Sequence, residues 1–151
     1  MHLGSVYLIV NDFAKSIAFY EKLLEIPLGA ENNGRFVSFS FEGHRISLLN
    51  AHFDAENPEK VVRKGEAPDF GTPLGEIALA PNTQKFVFNF WVEDLRAEYE
   101  RIRTLGITDH LSGILYVCYV APYYYFPLTD PDGNMIEVTG AYVPEEGEFD
   151  E

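Results

Sequence analysis

Residues 129–139 read Thr-Asp-Pro-Asp-Gly-Asn-Met-Ile-Glu-Val-Thr, a tight turn followed by an alternating strand. Pro131 restricts its own φ to about −65°, which suits the second position of a turn. Gly133 or Asn134 can then adopt the positive φ that such a turn requires. The stretch therefore predicts a hairpin whose second strand begins near residue 135.

The strand after this turn has two different faces. Ile136 and Val138 form an aliphatic face that belongs in a core, because side chains alternate along a strand. The other face carries Glu137 at mid-strand, where an unpaired charge is costly. We therefore expect Glu137 to point into a cleft, at a partner or at a metal. The alternative is an ordinary hairpin with a solvated glutamate.

The rest of the chain reads as strands and two amphipathic helices. Asn11 or Asp12 provides an N-cap for a helix near residues 13–24, and a second helix is predicted near 95–105. Residues 51–83 hold no consistent period, which predicts a long connecting loop. The predicted strands, besides the one after the turn, are Ser5–Val10, Phe36–Phe41, Arg45–Asn50, Lys85–Trp91 and one or two within 111–126.

An internal repeat relates the two halves of the chain. Asp12 corresponds to Asp94 at a shift of 82 positions, and Gly43 corresponds to Gly133 at a shift of 90. The second shift pairs Ser47 with Glu137. Each half therefore reads as a strand, a helix and a run of strands that includes a glycine-centred hairpin. Neither half could bury its sheet face alone, so we expect the two to pack as a pair.

Composition excludes several classes of protein. The net charge is −13, with 24 acidic and 11 basic side chains, so no basic surface is available for nucleic acid. The sequence shows no targeting or membrane-spanning segment, and we expect a cytoplasmic protein. The single cysteine, Cys118, has apolar neighbours and is predicted to be a buried thiol. The acidic tail, residues 143–151, is predicted to be mobile and solvated.

The chain resembles the vicinal oxygen chelate superfamily, which groups glyoxalases, extradiol dioxygenases and bleomycin-resistance proteins. The likeness lies in Tyr7–Asp12 followed by Ser16–Tyr20, and in Asp130–Asn134 followed by Ile136 and Glu137. It implies an α+β fold in which two βαβββ modules pair into a cup-shaped mixed sheet, with helices on the outer face. It also implies a homodimer. The expected layout is one domain over residues 1–142, with modules at about 4–50 and 84–140 linked by the loop 51–83, and then the tail.

In metal-dependent members of the superfamily, His, Glu or Gln side chains from four strand positions bind one divalent ion. Mapped here, those positions are Ser5, Ser47, Val87 and Glu137. Only Glu137 is a good ligand, since valine has no donor atom and serine hydroxyls are weak ligands. The four histidines, His2, His44, His52 and His110, lie elsewhere in the sequence. We therefore expect no metal and no other cofactor.

Strand alternation, carried through the repeat, predicts which side chains line the cup. Sparse polar groups among apolar and aromatic walls are typical of a small-molecule pocket. Partial burial of Glu137 would suit a proton-transfer role, with a purely structural hydrogen bond as the alternative. The opposite face, with Phe86, Phe88 and Phe90, is expected to pack against the helices. The predicted ligand-binding residues are Ser5, Tyr7, Ser47, Leu49, Val87, Asn89, Trp91, Met135 and Glu137.

Three functions follow from these features. The first is a metal-free binding protein of the bleomycin-resistance type, holding an aromatic or cationic small molecule in an apolar cup. The second is a glyoxalase-like lyase or isomerase that uses Glu137 as general base or as its sole retained metal ligand. The third is an interaction module that dimerises and fills the cup with its own side chains.

Overall fold

A computed structural model describes residues 1, 3–61, 73–118 and 120–149. The chain divides into two compact units, Met1–Pro81 (the first unit) and Asn82–Glu151 (the second unit). The elements of the first unit are β1 (Val6–Val10), α1 (Phe13–Leu24), β2 (Ala30–Asn32), β3 (Phe36–Phe41), β4 (His44–Asn50), α2 (Phe53–Glu56) and α3 (Leu74–Leu79). Those of the second unit are β5 (Val87–Val92), α4 (Leu95–Leu105), β6 (Leu115–Cys118), β7 (Pro122–Thr129) and β8 (Met135–Gly140).

The two units contain sheets of the same topology. The strand order is β1-β4-β3-β2 in the first and β5-β8-β7-β6 in the second. In each, the first strand of the unit runs parallel to the last, and the remaining pairs are antiparallel. Tyr7 pairs with Ser47 in the first sheet, and Asn89 pairs with Glu137 in the second. The predicted α+β fold of two βαβββ modules is confirmed, and Ser47 and Glu137 hold equivalent positions.

Both long helices begin where the sequence predicted. The side chain of Asp12 accepts a hydrogen bond from the Lys15 amide at 3.0 Å, and Asp94 accepts one from the Ala97 amide at 3.0 Å. Each aspartate thereby satisfies one of the amides that a helix start leaves unpaired. Each helix buries one face, with Phe19, Tyr20 and Leu23 in α1 and Leu95 and Ile102 in α4.

The turn that opens the last strand is built around Asp130, which is buried. Its carboxylate accepts hydrogen bonds from the amides of Asp132 and Asn134, at 3.0 and 2.8 Å. Gly133 supplies the positive φ, +81°. This network fixes the point at which β8 starts, and therefore which of its side chains face each side of the sheet.

The connection predicted as a loop contains structure at both ends. Helix α2 begins two residues after β4, and Asp54 in it accepts two hydrogen bonds from the Arg35 guanidinium, at 2.6 and 2.8 Å. Helix α3 contacts β1. The prediction of an aperiodic loop over 51–83 is therefore wrong for α2 and α3, while its residues 62–72 lie outside the described part of the chain.

Two other predictions are corrected in the second unit. Cys118 is exposed, because it ends the edge strand β6, all four residues of which are exposed. The tail is not simply solvated over its described residues, since Glu145 and Glu148 form ion pairs with Arg96. Among the described residues, no helix combines the length and apolar character needed to cross a membrane.

Candidate functional site on the second sheet

The second sheet presents Glu137 on the face opposite its helix. Phe88 on β5 is 8% exposed and Trp91 is 67% exposed, so the predicted alternation of this strand is confirmed. Ile136 and Val138 are buried on the helix side, also as predicted. We call the other side the carboxylate face; the strand registers assign to it Val87, Asn89, Trp91, Leu115, Val117, Tyr123, Tyr125, Pro127, Thr129, Met135, Glu137 and Thr139.

Three polar side chains meet on the carboxylate face. Asn89 Nδ2 donates to Glu137 Oε1 at 2.6 Å and to the Tyr123 hydroxyl at 3.1 Å. The Tyr123 hydroxyl in turn donates to the same Oε1 at 2.7 Å. The three groups form a closed triangle in which the Asn89 amide donates towards both the carboxylate and the hydroxyl, and the phenolic hydrogen is donated to the carboxylate. This triangle fixes the carboxylate in one orientation.

The geometry leaves one carboxylate oxygen available. Within the described part of the chain, Glu137 Oε2 accepts no hydrogen bond, while Oε1 accepts two. Glu137 is half-buried, so its charge is partly shielded from water and remains reachable from outside. Oε2 can therefore accept a hydrogen bond from a bound N–H or O–H group, or take up a proton.

Aromatic and aliphatic side chains surround the triangle. The rings of Tyr123 and Tyr125 lie 5.5 Å apart, inclined by 37°. Trp91 lies on the same strand as Asn89, two residues on, and opposite Thr139. Val87 and Val117 are also exposed. An aromatic and apolar surface that carries one oriented charge is suited to a planar ligand with a polar group.

The equivalent position of the first unit has different chemistry. Ser47 is 0% exposed, and its hydroxyl shares a 2.9 Å hydrogen bond with that of Ser38 on the neighbouring strand. Tyr7, which pairs with Ser47, is exposed and packs edge-on against Phe36 with ring centroids 6.1 Å apart. The first module therefore presents a neutral, closed serine pair where the second presents a carboxylate.

The structure brings some of the predicted site residues together and not others. Asn89 and Glu137 are in contact. Ser5 lies before the first residue of β1, so its predicted place in the strand is wrong. Phe86 also precedes its strand and is 55% exposed, so it does not belong to the helix-side core. Leu49 is buried and Met135 is half-buried.

Tyr123 is the site residue that the sequence did not reveal. It lies in the aromatic run Tyr123–Phe126, where every second residue points to the same side. The period alone could not assign the run to a face, because all four residues are aromatic. The register of β7 against β8, Pro127 opposite Glu137, makes that assignment.

The residues at the family's four ligand positions do not fit a divalent ion. Val87 offers no donor atom, and Ser47 is engaged with Ser38. The two groups nearest the Glu137 carboxylate both act as hydrogen-bond donors towards it, whereas a metal needs lone pairs. Among the described residues, no three His, Cys, Asp or Glu side chains are grouped in a way that could hold an ion.

A groove of about 540 Å³ lies elsewhere in the second unit. It runs between the start of α4 and the segment after β8, and Glu93, Arg96 and Tyr142 are among its lining residues. None of its lining residues belongs to the carboxylate face. The carboxylate face is the stronger candidate site, because the polar triangle there has a carboxylate oxygen that can accept a hydrogen bond.

Comparison with known proteins identifies one matching family and many solved structures with a similar fold. Residues 2–138 match the family model of the Glyoxalase/Bleomycin resistance protein/Dioxygenase superfamily. A curated relative, the uncharacterized protein YraH of Bacillus subtilis (strain 168), is 30% identical over 141 residues, which cover 91% of this chain and 97% of the relative.

Two solved structures illustrate the likeness of the fold. A glyoxalase/bleomycin resistance protein/dioxygenase from Nocardioides has a TM-score of 0.65 at 21% identity, covering 96% of this chain and 86% of its own. A lactoylglutathione lyase from Agrobacterium tumefaciens has a TM-score of 0.59 at 17% identity, covering 93% of each chain. At these identities the likeness concerns the fold alone.

Proposed function

The chain belongs to the Glyoxalase/Bleomycin resistance protein/Dioxygenase superfamily, and from this premise we propose that it is a metal-free small-molecule-binding protein of the bleomycin-resistance type. Its ligand lies on the carboxylate face. The observation that carries the proposal is the hydrogen-bonded triangle of Asn89, Tyr123 and Glu137. Two donors hold one oxygen of the carboxylate, and the other oxygen is left to the ligand.

The surroundings of the triangle favour an aromatic cation as ligand. Trp91 and Tyr123 offer π-faces that attract planar groups and positive charge. Glu137 can form an ion pair with a positively charged group of the ligand, and its Oε2 can also accept a hydrogen bond where that group carries an N–H. The net charge of −13 adds a general attraction for cations, which affects the rate of encounter more than the choice of site.

A fluorescence titration tests the proposal. Trp91 is the single tryptophan, so its emission reports on the carboxylate face without competition from another indole. We expect N-methylpyridinium chloride, a planar cation that quenches indole fluorescence, to quench Trp91 in a saturable manner. Glu137→Gln keeps the shape of the side chain and removes the charge. It should weaken binding by about 0.5–2 kcal/mol, the range for an ion pair or cation–π contact at a partly exposed site.

A matched variant separates the site from the general charge of the protein. Glu31 is an exposed carboxylate on β2 of the first unit, so Glu31→Gln makes the same change in net charge. We expect its titration to equal that of the unmodified protein. Quenching that rises linearly without saturation, or an equal loss of affinity in both variants, would contradict a specific site at Glu137.

The second candidate is a lyase or isomerase in which Glu137 abstracts a proton. Glu137 Oε2 can accept a proton from a substrate, and the Tyr123 hydroxyl beside it can donate one. A base and a proton donor at one site are what such a reaction needs. Lactoylglutathione, the compound after which a lyase of similar fold is named, is a suitable probe. Exchange of its lactoyl C–H with solvent deuterium, followed by NMR and abolished in Glu137→Gln, would favour this candidate over pure binding.

A further inference from the structure

The first residues of β7, where Tyr123 lies, have less support than the rest of the strand. The ladder between β7 and β8 begins at Tyr125, opposite Thr139. Before that point the backbone of β7 pairs only with β6, where Tyr123 lies opposite Val117. One side-chain hydrogen bond also reaches it from β8, from Thr139 Oγ1 to the Tyr124 carbonyl at 2.8 Å. β6 is an edge strand with all four residues exposed. A two-stranded ribbon of this kind is of marginal stability on its own.

The C-terminal segment covers the outer side of this ribbon. Phe149 packs against Tyr116 of β6 and Tyr124 of β7, with ring centroids 5.6 and 5.7 Å away. Tyr124 also lies 5.0 Å from the ring of Tyr142. Because side chains alternate, a ring that holds Tyr124 on the outer side fixes the backbone from which Tyr123 projects to the carboxylate face.

Polar contacts hold the same segment to α4. Arg96 Nη2 donates to Glu148 Oε2 at 2.9 Å and to the Tyr142 hydroxyl at 2.6 Å, and its guanidinium carbon lies 4.8 Å from the Tyr142 ring centroid. The Tyr142 hydroxyl donates to Glu148 Oε1, and the Glu145 amide donates to Oε2 at 2.8 Å. The segment therefore contacts α4 through Tyr142 and Glu148, and it contacts the ribbon through Tyr142 and Phe149.

These contacts also set the charge states of Glu148 and Tyr142. The hydrogen bond from Tyr142 lowers the pKa of Glu148 below its ordinary value. Burial, followed by the hydrogen bond to Glu148, raises the pKa of Tyr142 to about 12. At neutral pH Glu148 is therefore ionised and Tyr142 is neutral, which are the states that the hydrogen bonds require.

We propose that residues 142–149 form a strap that positions Tyr123 for ligand binding, with Phe149 as the positioning residue. The strap acts through Tyr124 and touches neither Glu137 nor the carboxylate face. This part of the inference rests on the proposed function, because the purpose of the strap is the orientation of the triangle. The packing of residues 142–149 against α4, β6 and β7 lies within the second unit and does not depend on the proposed function.

Hydrogen exchange of the full chain tests the strap without a ligand. We expect Phe149→Ala to accelerate amide exchange in β6 and at the start of β7, with no change in β1–β4 of the first unit. Phe149→Tyr keeps the ring and should restore slow exchange. Unchanged exchange of β6 and β7 in Phe149→Ala would overturn the inference, whatever the ligand experiments show.

A double-mutant cycle tests the link to the site. We expect Phe149→Ala and Tyr123→Phe each to weaken N-methylpyridinium binding by about threefold or more, since each disturbs one hydrogen bond to the carboxylate. If the strap acts through Tyr123, the double variant should bind no worse than Tyr123→Phe. Losses that multiply would overturn the positioning role.

The two proposals fail in different ways. If the probe does not bind the unmodified protein while Phe149→Ala accelerates exchange, the proposed ligand is wrong and the strap stands. If the probe binds through Glu137 while exchange of the ribbon is unaffected, the proposed function stands and the strap is wrong.

Discussion

Glu137 and Ser47 occupy the same position in two copies of one module and have opposite chemistry. In the first copy, Ser47 is buried and its hydroxyl is satisfied by Ser38. In the second, a carboxylate is held by Asn89 and Tyr123 and keeps one oxygen available. Glu137 is half-buried, so its charge stays partly hydrated, and the two donors hold its carboxylate in one orientation. Of the two equivalent positions, only the one in the second unit carries a charged side chain.

The donor groups around Glu137 predict a protein that binds no divalent ion. Asn89 and Tyr123 present hydrogens to the carboxylate, and Val87 has no lone pair to offer. We expect elemental analysis after equilibrium dialysis against zinc or nickel to find far less than one ion per chain. Glu137→Gln serves as the control. One ion per chain that disappears in that variant would contradict the prediction and restore a glyoxalase-like metal site.

The sequence predicted which side of the sheet a side chain faces better than it predicted which side chains touch each other. The exposed position of Trp91 and the burial of Ile136 followed from period-2 alternation, which is a property of the strand alone. The contact between Tyr123 and Glu137 depends on how β7 is aligned with β8, and no local pattern encodes that alignment. Cys118 was predicted to be buried from its apolar neighbours, which ignores that β6 is an edge strand.

The helices and the hairpin turn were predictable because short-range chemistry fixes them. Asp12 and Asp94 satisfy amides three residues ahead, and Asp130 satisfies amides two and four residues ahead. The docking of the tail could not be predicted in this way, since Glu148 meets Arg96, which lies 52 positions away. Acidic composition indicated only a solvated end, and the contact that orders it is long-range.

The close approach of β5 and β8 predicts strong sensitivity at one glycine. A Cβ added at Gly140 would lie 2.1 Å from the carbonyl oxygen of Val92, a backbone atom that cannot move without distorting the ladder. We expect Gly140→Ala to lower the free energy of unfolding by about 1–3 kcal/mol, as overpacking does. Urea denaturation followed by circular dichroism measures the change.

Gly113 provides the matched control in the same unit, because a Cβ there would have no atom within 4 Å. Gly113→Ala should change the free energy of unfolding by no more than about 0.5 kcal/mol. Equal denaturation midpoints for the two variants would show that the pairing of Val92 with Gly140 is looser than the structure has it.

At the scale of the whole molecule, the two modules share their strand order and differ in the lengths of their connections. The strand order is the same in both sheets, and the first and last strands are parallel in both. The shift between the copies grows from 82 at the N-caps to 90 at the hairpin glycines. The connection before β6 is longer than that before β2, β7 is longer than β3, and the turn after β7 is longer than that after β3. The pairing of the modules into a cup stays a prediction.

The apolar side chains that the chain leaves exposed predict a homodimer. Leu115 and Val117 of the edge strand β6 are exposed, and exposed apolar side chains of this kind mark contact sites. An edge strand such as β6 is also open to pairing with another chain. Closed two-fold symmetry is the commonest arrangement of a single type of chain. We therefore expect light scattering to give twice the chain mass of 17.1 kDa.

A charge placed on the exposed edge strand tests which surface holds the dimer. Val117→Lys puts an ammonium group on β6, where burial against a second copy would be costly, and we expect it to shift the measured mass towards that of one chain. Thr104→Lys makes the same change of charge at an exposed position on α4 and should leave the dimer intact. A mass of one chain for the unmodified protein at every concentration would rule out the dimer. A Val117→Lys variant that remains a dimer would exclude β6 from its interface.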